Sequence, residues 1–310
     1  MSQKAAGKAE NAHQTAIWCV SFCEEERLLT GSLDGMLKLW HRSLGKAIGT
    51  TAKQRVGVTS VVSGGNSAAA CFQDSTIRFY TLTPEGIEEV KVENETTGQL
   101  VADVFNPGHL EAWSISLAAD KATFATGSNS GVVSLWSMET GHDKLLSFET
   151  NDKPALCTGF SPTVENQQMA CGSMDGTVFL FDVLNQTKLQ TITEHFLPTR
   201  CVKFSPDGNL IYSASDDRHV SVVDARSGTV INAFAHSGMA FSVDVSPDHR
   251  HFCVGSSDHV VTLWDLGMQR CETTYHCHSD QVWGVAFDPA DATGRRFASV
   301  GDDQLLQLYE

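Results

Sequence analysis

A serine, a histidine and an aspartate at positions 213, 195 and 217 are the residue types of a hydrolytic triad. With the imidazole between the other two, it could take the Ser213 proton while Asp217 held its tautomer. A second cluster, His276–Cys277–His278 with Cys271 nearby, offers nitrogen and sulfur donors to a zinc ion. Spacing argues against both. His13, His109, His195, His236 and His278 all stand 27–31 residues before an aromatic or apolar end position, so the set repeats along the chain. A nucleophile is needed once; a device used five times belongs to the scaffold. His278 fills its place in that repeat, and the zinc cluster then lacks four ligands at a recognised spacing. No G-x-S-x-G, Walker A or H-E-x-x-H pattern occurs. We therefore expect no catalytic residue, no metal and no cofactor.

The repeat is Gly-Ser-x-Asp, a short alternating apolar run, then an aromatic. It reads GSLDGMLKLW to Trp40, CFQDSTIRFY to Tyr80, GSNSGVVSLW to Trp136 and GSMDGTVFLF to Phe181. It continues as SASDDRHVSVV to Val223, GSSDHVVTLW to Trp264 and SVGDDQLLQLY to Tyr309. The end positions lie 40, 56, 45, 42, 41 and 45 residues apart. That period, with Trp264-Asp265 intact, resembles the WD-repeat signature. Six before each end stands Asp34, Asp74, Ser130, Asp175, Asp217, Asp258 or Asp303. An aspartate there can close a tight turn through its own backbone and accept a proton from the upstream histidine. A hydroxyl four before it, as at Thr30, Thr126, Ser213 and Ser299, would complete a buried network. On this reading only His13–Thr30–Asp34–Trp40 has all four members, and the second copy has Lys53 near the expected histidine.

Strands of four to six residues between Gly and Asp turns predict an all-β fold. Four per copy and seven copies predict a single seven-bladed WD40 propeller over residues 1–310, with antiparallel blades. The chain reaches Tyr309 at the end of a third strand, so the N-terminus should supply the fourth, although QKAAGKAEN has poor strand propensity. Between Tyr80 and Trp113, GIEEVKV reads as a fourth strand and the rest as a long acidic loop.

Composition narrows the function. Twenty-two Lys and Arg face 37 Asp and Glu, a formal charge of −15, with no basic run to neutralise phosphates. Direct nucleic-acid binding is not expected. Nine cysteines, an odd number in mostly apolar stretches, suit a reducing compartment, the cytosol or nucleus. No apolar run has transmembrane length, and the polar start has no signal-peptide pattern, so no membrane role is expected.

Finer features carry a narrower resemblance. DQVWGVAF with FASVGDDQ, EAWSISLA with TGSNSGVVSLW, TRCVKFSPDG with SASDD, and AIWCVSF resemble the small WD-repeat subunit of the superkiller complex across nearly the whole chain. The resemblance implies a non-catalytic scaffold. Its partner would be a tetratricopeptide-repeat protein, with an RNA helicase alongside, feeding messenger RNA to the cytoplasmic exosome for decay from the 3′ end. In animals it further implies membership of the nuclear polymerase-associated factor complex and a link to transcription elongation, and in fungi a meiotic role.

The candidate docking residues are equivalent positions at the start of each first strand: Trp18, Thr59, Trp113, Leu156, Arg200, Phe241 and Trp283. First strands line a propeller's channel, so these side chains should ring one mouth. Trp, Phe and Arg are the types that dominate interface hot spots. Asp216 and Asp302 should flank that mouth and could pair with a partner's arginine. The bland alternative is inter-blade core. Other adaptor readings remain, a chromatin peptide reader or a ubiquitin-ligase substrate receptor. A reader should place acids rather than tryptophans at the mouth, and a receptor usually carries an extra N-terminal domain, where here a dozen residues precede His13.

Overall fold

The computed structural model describes residues 5–24, 26–94, 99–108, 112–139, 141–164 and 167–310. Among them there is no helix long and apolar enough to cross a membrane. The strands form seven antiparallel blades around an axis. Blade 1 runs Ile17–Cys23, Arg27–Ser32, Leu37–His41 and Ala47–Thr50. Blades 3 to 6 repeat that order, with first strands Ser114–Leu117, Ala155–Phe160, Thr199–Phe204 and Ala240–Val245. Second strands are the most buried; Arg27–Ser32 and His251–Ser256 are buried at every position, because neighbouring blades cover both faces. Fourth strands form the rim and are half exposed.

Blade 7 closes the ring as expected. Its own strands are Val282–Phe287, Phe297–Gly301 and Leu306–Tyr309. The fourth is Ala5–Ala9, with Gly7 opposite Leu308 and Ala9 opposite Leu306. A register shift between Ala5 and Gly7 and a Gln307 side-chain bond to the Gly7 carbonyl complete the pairing. Backbone bonds carry this strand, so its weak side-chain propensity does not prevent it. Leu28 and Trp40 of blade 1 then pack with Ala298, Val300 and Leu306 of blade 7.

Blade 2 departs from the sequence reading. Its first three strands are Val58–Gly64, Ser67–Phe72 and Ile77–Thr83. GIEEVKV is not one fourth strand. Gly86–Glu89 pairs with the third strand, Lys91–Glu93 leaves the blade to pair with Leu100–Ala102, and Val104–Phe105 returns opposite Arg78 and Ile77. The expected loop is thus in part a hairpin set into the rim strand. His142, from the last turn of blade 3, stacks on Phe79 at 4.2 Å and bonds Asp103 at 3.1 Å, pinning the hairpin's return.

Candidate docking site at the channel mouth

The triad geometry that the sequence suggested is real but closed. His195 Nδ1 lies 2.8 Å from Asp217 and Nε2 lies 2.8 Å from Ser213. All three side chains are buried, so no substrate reaches the hydroxyl. The same set ties strand to turn elsewhere. In blade 1, His13 bonds Asp34 at 3.1 Å and Thr30 at 2.8 Å, and the Trp40 indole donates to Thr30 at 2.9 Å. Burial lowers the His13 pKa and outweighs Asp34, which raises it. Burial opposes ionising Asp34, yet His13 and the N–H groups of Gln14 and Met36 outweigh it and hold the carboxyl at about 2.

Blade 1 is not alone in having four members. In blade 7, His278 bonds Asp303 at 3.0 Å and Ser299 at 2.6 Å, and the Tyr309 hydroxyl sits 3.0 Å from Ser299. A phenol there does the work of an indole. Blade 6 fails the expected pattern: Val254 occupies the hydroxyl position, and Asp258 bonds Ser237 and Ser256 instead of His236. Among the described residues the His236 ring reaches only Thr262, at 3.4 Å, and its buried Nε2 has no partner; burial pulls its pKa down to about 4. His109 lies outside the described residues; Thr126 of its blade still accepts from Trp136 at 3.0 Å. His278 spends both nitrogens on its network, and among the described residues no His, Cys, Asp or Glu group is arranged for a metal.

The turn geometry positions the mouth. The residue after the turn position is left-handed in each blade: Gly35 at φ 79°, Gly131 at 82°, and Ser75, Gly176, Arg218, His259 and Gln304 likewise. The preceding glycine matters too. A Cβ on Gly31 would sit 2.6 Å from the Cys19 sulfur and from Val58, and one on Gly172 2.6 Å from the Cys157 sulfur. Small residues there let the first strands of adjacent blades approach and frame a channel of about 720 Å³. Cys19, Cys157 and Cys201 line it in one layer with Ser114 and Ser242, which follow the ring residue at the same place in their strands. Their thiols are pushed up by burial.

The aligned ring has a cause that the sequence did not reveal. Trp18, Thr59, Leu156, Arg200, Phe241 and Trp283 are each the extra residue of a β-bulge, where the first strand slips against the second. A bulge re-aims its side chain. All seven ring positions, Trp113 included, line the channel. Three of the aromatics meet: Trp283 stacks on Phe241 at 4.3 Å with planes 5° apart, and tilts against Trp18 at 5.4 Å. Phe241 is buried, Trp18 and Trp283 half-buried. Trp113 stands across the channel on blade 3 and is 44% exposed.

Arg200 is already engaged within the ring. Its guanidinium forks onto Asp216 at 2.7 and 3.0 Å within its own blade. Asp216 is consequently buried and engaged, rather than open to a partner's arginine. Asp302 likewise accepts the Trp283 indole N–H at 2.8 Å. Burial, with Asp280 and Asp303 nearby, raises its pKa against the pull of that bond. Both acids brace ring members in place.

Sequence reasoning missed four apolar residues on the same face. Phe196, 73% exposed, and Leu197 precede the first strand of blade 5; Met239 precedes that of blade 6; Met174 sits in a blade 4 turn. The signal available was an apolar residue in a short connection where polar ones are usual.

The WD domain, G-beta repeat family matches residues 8–41, 186–224, 228–265 and 269–310. A WD repeat-containing protein SL1-17 of Schistosoma mansoni is 31% identical over 97% of both chains. This chain belongs to the WD-repeat family. The four matched repeats of this WD-repeat protein contain His13, His195, His236 and His278, while the repeat of His109 lies outside the matched residues. Another relative, WD repeat-containing protein VIP3 of Arabidopsis thaliana, is 33% identical over 66% of this chain and 65% of its own. A DDB1- and CUL4-associated factor 11 homolog of Caenorhabditis elegans is 29% identical over 75% of this chain, which spans only 43% of that protein.

Proposed function

We propose that this WD-repeat propeller is a non-catalytic docking subunit, and that the channel mouth is its docking face. The observation that carries this is the Trp18–Trp283–Phe241 stack, braced by Asp302 and left half open, with exposed Trp113, Phe196 and Leu197 on the same face. Large rigid aromatics held in place before binding lose little entropy on contact. The narrower resemblance favours a tetratricopeptide-repeat scaffold as partner. The protein would then serve a superkiller-type complex, beside an RNA helicase and the exosome in cytoplasmic mRNA decay, and a polymerase-associated factor complex in the nucleus. The charge of −15 argues that RNA is handled by those partners rather than by this chain.

Titration of the tetratricopeptide scaffold against Trp283→Ala and Arg200→Glu tests the reading. Loss of the aromatic anchor should weaken binding by roughly 30- to 1,000-fold. Arg200→Glu should also weaken it, by setting two acids side by side at Asp216. Melting temperatures must be followed in parallel. Unchanged affinity, or affinity lost only in step with unfolding, returns these side chains to the core. The relative named as a DDB1- and CUL4-associated factor favours a second reading, a ubiquitin-ligase substrate receptor. Binding of DDB1 by this propeller in place of the scaffold would select it.

A further inference from the structure

Each blade ends outward in a rim strand, and such an edge is a template for further pairing unless charges or prolines guard it. Glu88 stands on the rim strand of blade 2, Lys144 and Glu149 on that of blade 3, and Lys188 on that of blade 4. Arg270 and Glu272 guard blade 6, and Lys8 guards blade 7; all of these side chains are exposed. Blade 1 has no charge in Ala47–Thr50, but a Cβ on Gly49 would meet the Gly86 backbone of blade 2 at 2.6 Å, so that edge is covered. The rim strand of blade 5, Val230–Ala235, has neither protection. It carries no charge and no proline, and Val230, 37% exposed, and Ile231, 52% exposed, present apolar surface.

Its main chain is open as well. His236 donates to the Arg218 carbonyl at 2.8 Å, so alternation turns Phe234 and Asn232 inward to the blade and Ala233 and Ala235 outward. The Ala233 N–H agrees with that direction: it donates to the side-chain oxygen of its neighbour Asn232, at 2.9 Å, rather than to a strand. Phe234 fixes the strand from behind, with its ring 4.9 Å from Phe252 and 5.1 Å from Trp264. Both ends of the strand are balanced in charge. Asp224 and Arg226 stand at the entry, and Arg218 and Asp258 at the exit, where Asp258 bonds Ser237.

We infer that this edge is a self-association surface, on which a second copy of the chain pairs its own Val230–Ala235 antiparallel about a two-fold axis. A two-fold contact sets a surface against itself, so a charged edge would repel its copy and this one does not. Antiparallel pairing brings the entry of one strand to the exit of the other, where one acid and one base on each side leave no net charge to oppose contact. That neutrality matters in a chain of net charge −15, two copies of which repel each other at a distance. Ala233 and Ala235 supply the main-chain groups, and Val230 and Ile231 the apolar contact. The surface lies on the rim of blade 5, so it does not rest on the channel-mouth reading.

Sedimentation equilibrium at up to about 1 mM protein reads even the weak dimer that a small interface gives. The wild type should show a reversible monomer–dimer equilibrium. Ile231 is the extra residue of a bulge, and blade 6 has Glu272 at the same place, so Ile231→Glu is compatible with the fold. It should weaken the dimer at least about ten-fold by setting like charges in the contact. Ala233→Pro removes an outward N–H and should weaken it at least about ten-fold through the main chain. Both variants should melt near the wild-type temperature. Leu145→Glu is the control: Leu145 is the bulge residue of blade 3, 50% exposed, on a strand that Lys144 and Glu149 already guard, and its loss should leave the dimer unchanged. The inference is overturned if the wild type stays monomeric at that concentration, or if either blade 5 variant, still folded, dimerises as well as wild type. It is overturned equally if Leu145→Glu weakens the dimer as much as Ile231→Glu.

Discussion

Blades 7 and 2 place a tyrosine at the same point of the repeat and use it oppositely. Tyr309 of blade 7 lies 3.0 Å from Ser299, which His278 holds in turn. Tyr80 of blade 2 is equally buried, but its hydroxyl has no partner among the described residues. Four before Asp74 stands Ala70 where blade 7 has Ser299, and the polar network never starts. Asp74 itself is exposed and, among the described residues, its side chain bonds only Thr76. One ring thus pins a strand to a turn, and the other serves only as apolar filling beside Leu82 and Phe72. The repeat dictates shape at both places, while the hydroxyl and the histidine decide how firmly each blade is tied.

Deleting the turn acid should separate the two kinds of blade most. Asp34→Ala strands His13, whose side chain is shut from solvent, and should cost about 3 kcal/mol of folding stability. Asp74→Ala removes a surface turn bond and should cost about 0.5 kcal/mol. Equal denaturation midpoints for the two variants would erase the distinction.

Acid should expose the incomplete network of blade 6. His236 has its folded pKa pulled to about 4, below its ordinary 6.5, by burial, with Asp258 opposing and His219 adding to the effect. A histidine depressed in the folded state gives stability that is full above pH 6.5. It is lost as pH falls toward 4 and changes little below that. Asp34, held at about 2, gives stability that is lost only as pH falls from 3.8 through 2, so the two windows are separate. His13, also lowered, adds to the upper window. His236→Phe keeps a ring against Trp264 and should remove about 2 kcal/mol of the loss between pH 6.5 and 4. A stability-versus-pH curve identical to wild type would show that His236 is not the group responsible.

Much of this was legible because the repeat restates itself. Seven ends at near-constant spacing forced seven blades, and the N-terminal closing strand was among the expectations that the structure bears out. The His13 tetrad followed from residue type and offset alone. Features that depend on non-local register were not legible. GIEEVKV has alternation for one strand, and only the competing partner Leu100–Ala102 draws Lys91–Glu93 out of the blade. The ring positions could be aligned, but the bulges that aim them, the Trp283–Phe241 stack and the Arg200–Asp216 fork are made by chain segments meeting in space. Tyr309 fits the repeat as an aromatic end, but residue type and offset alone do not join its hydroxyl to Ser299.

The smallest and sharpest test uses that hydroxyl. Tyr309→Phe removes a buried partner of Ser299 and leaves the stacking on Phe297, at 4.4 Å, in place. Ser299 keeps His278, so the loss should be about 1 kcal/mol, one net hydrogen bond. Tyr80→Phe deletes an oxygen that is desolvated and bonded to nothing among the described residues, and burial already drives the phenol pKa upward. Removing an unsatisfied buried polar group relieves a cost, so this variant should be neutral or more stable by up to about 1 kcal/mol. The substitution is chemically identical at the two sites, and the ring volume is unchanged apart from the oxygen. A difference in sign can then come only from the surroundings. Calorimetric melting of the two single variants and the double variant reads it out, and the double should equal the sum because the sites share no partner. If Tyr80→Phe loses as much stability as Tyr309→Phe, the blade 2 hydroxyl is satisfied in solution and the contrast between the blades fails at its most local point.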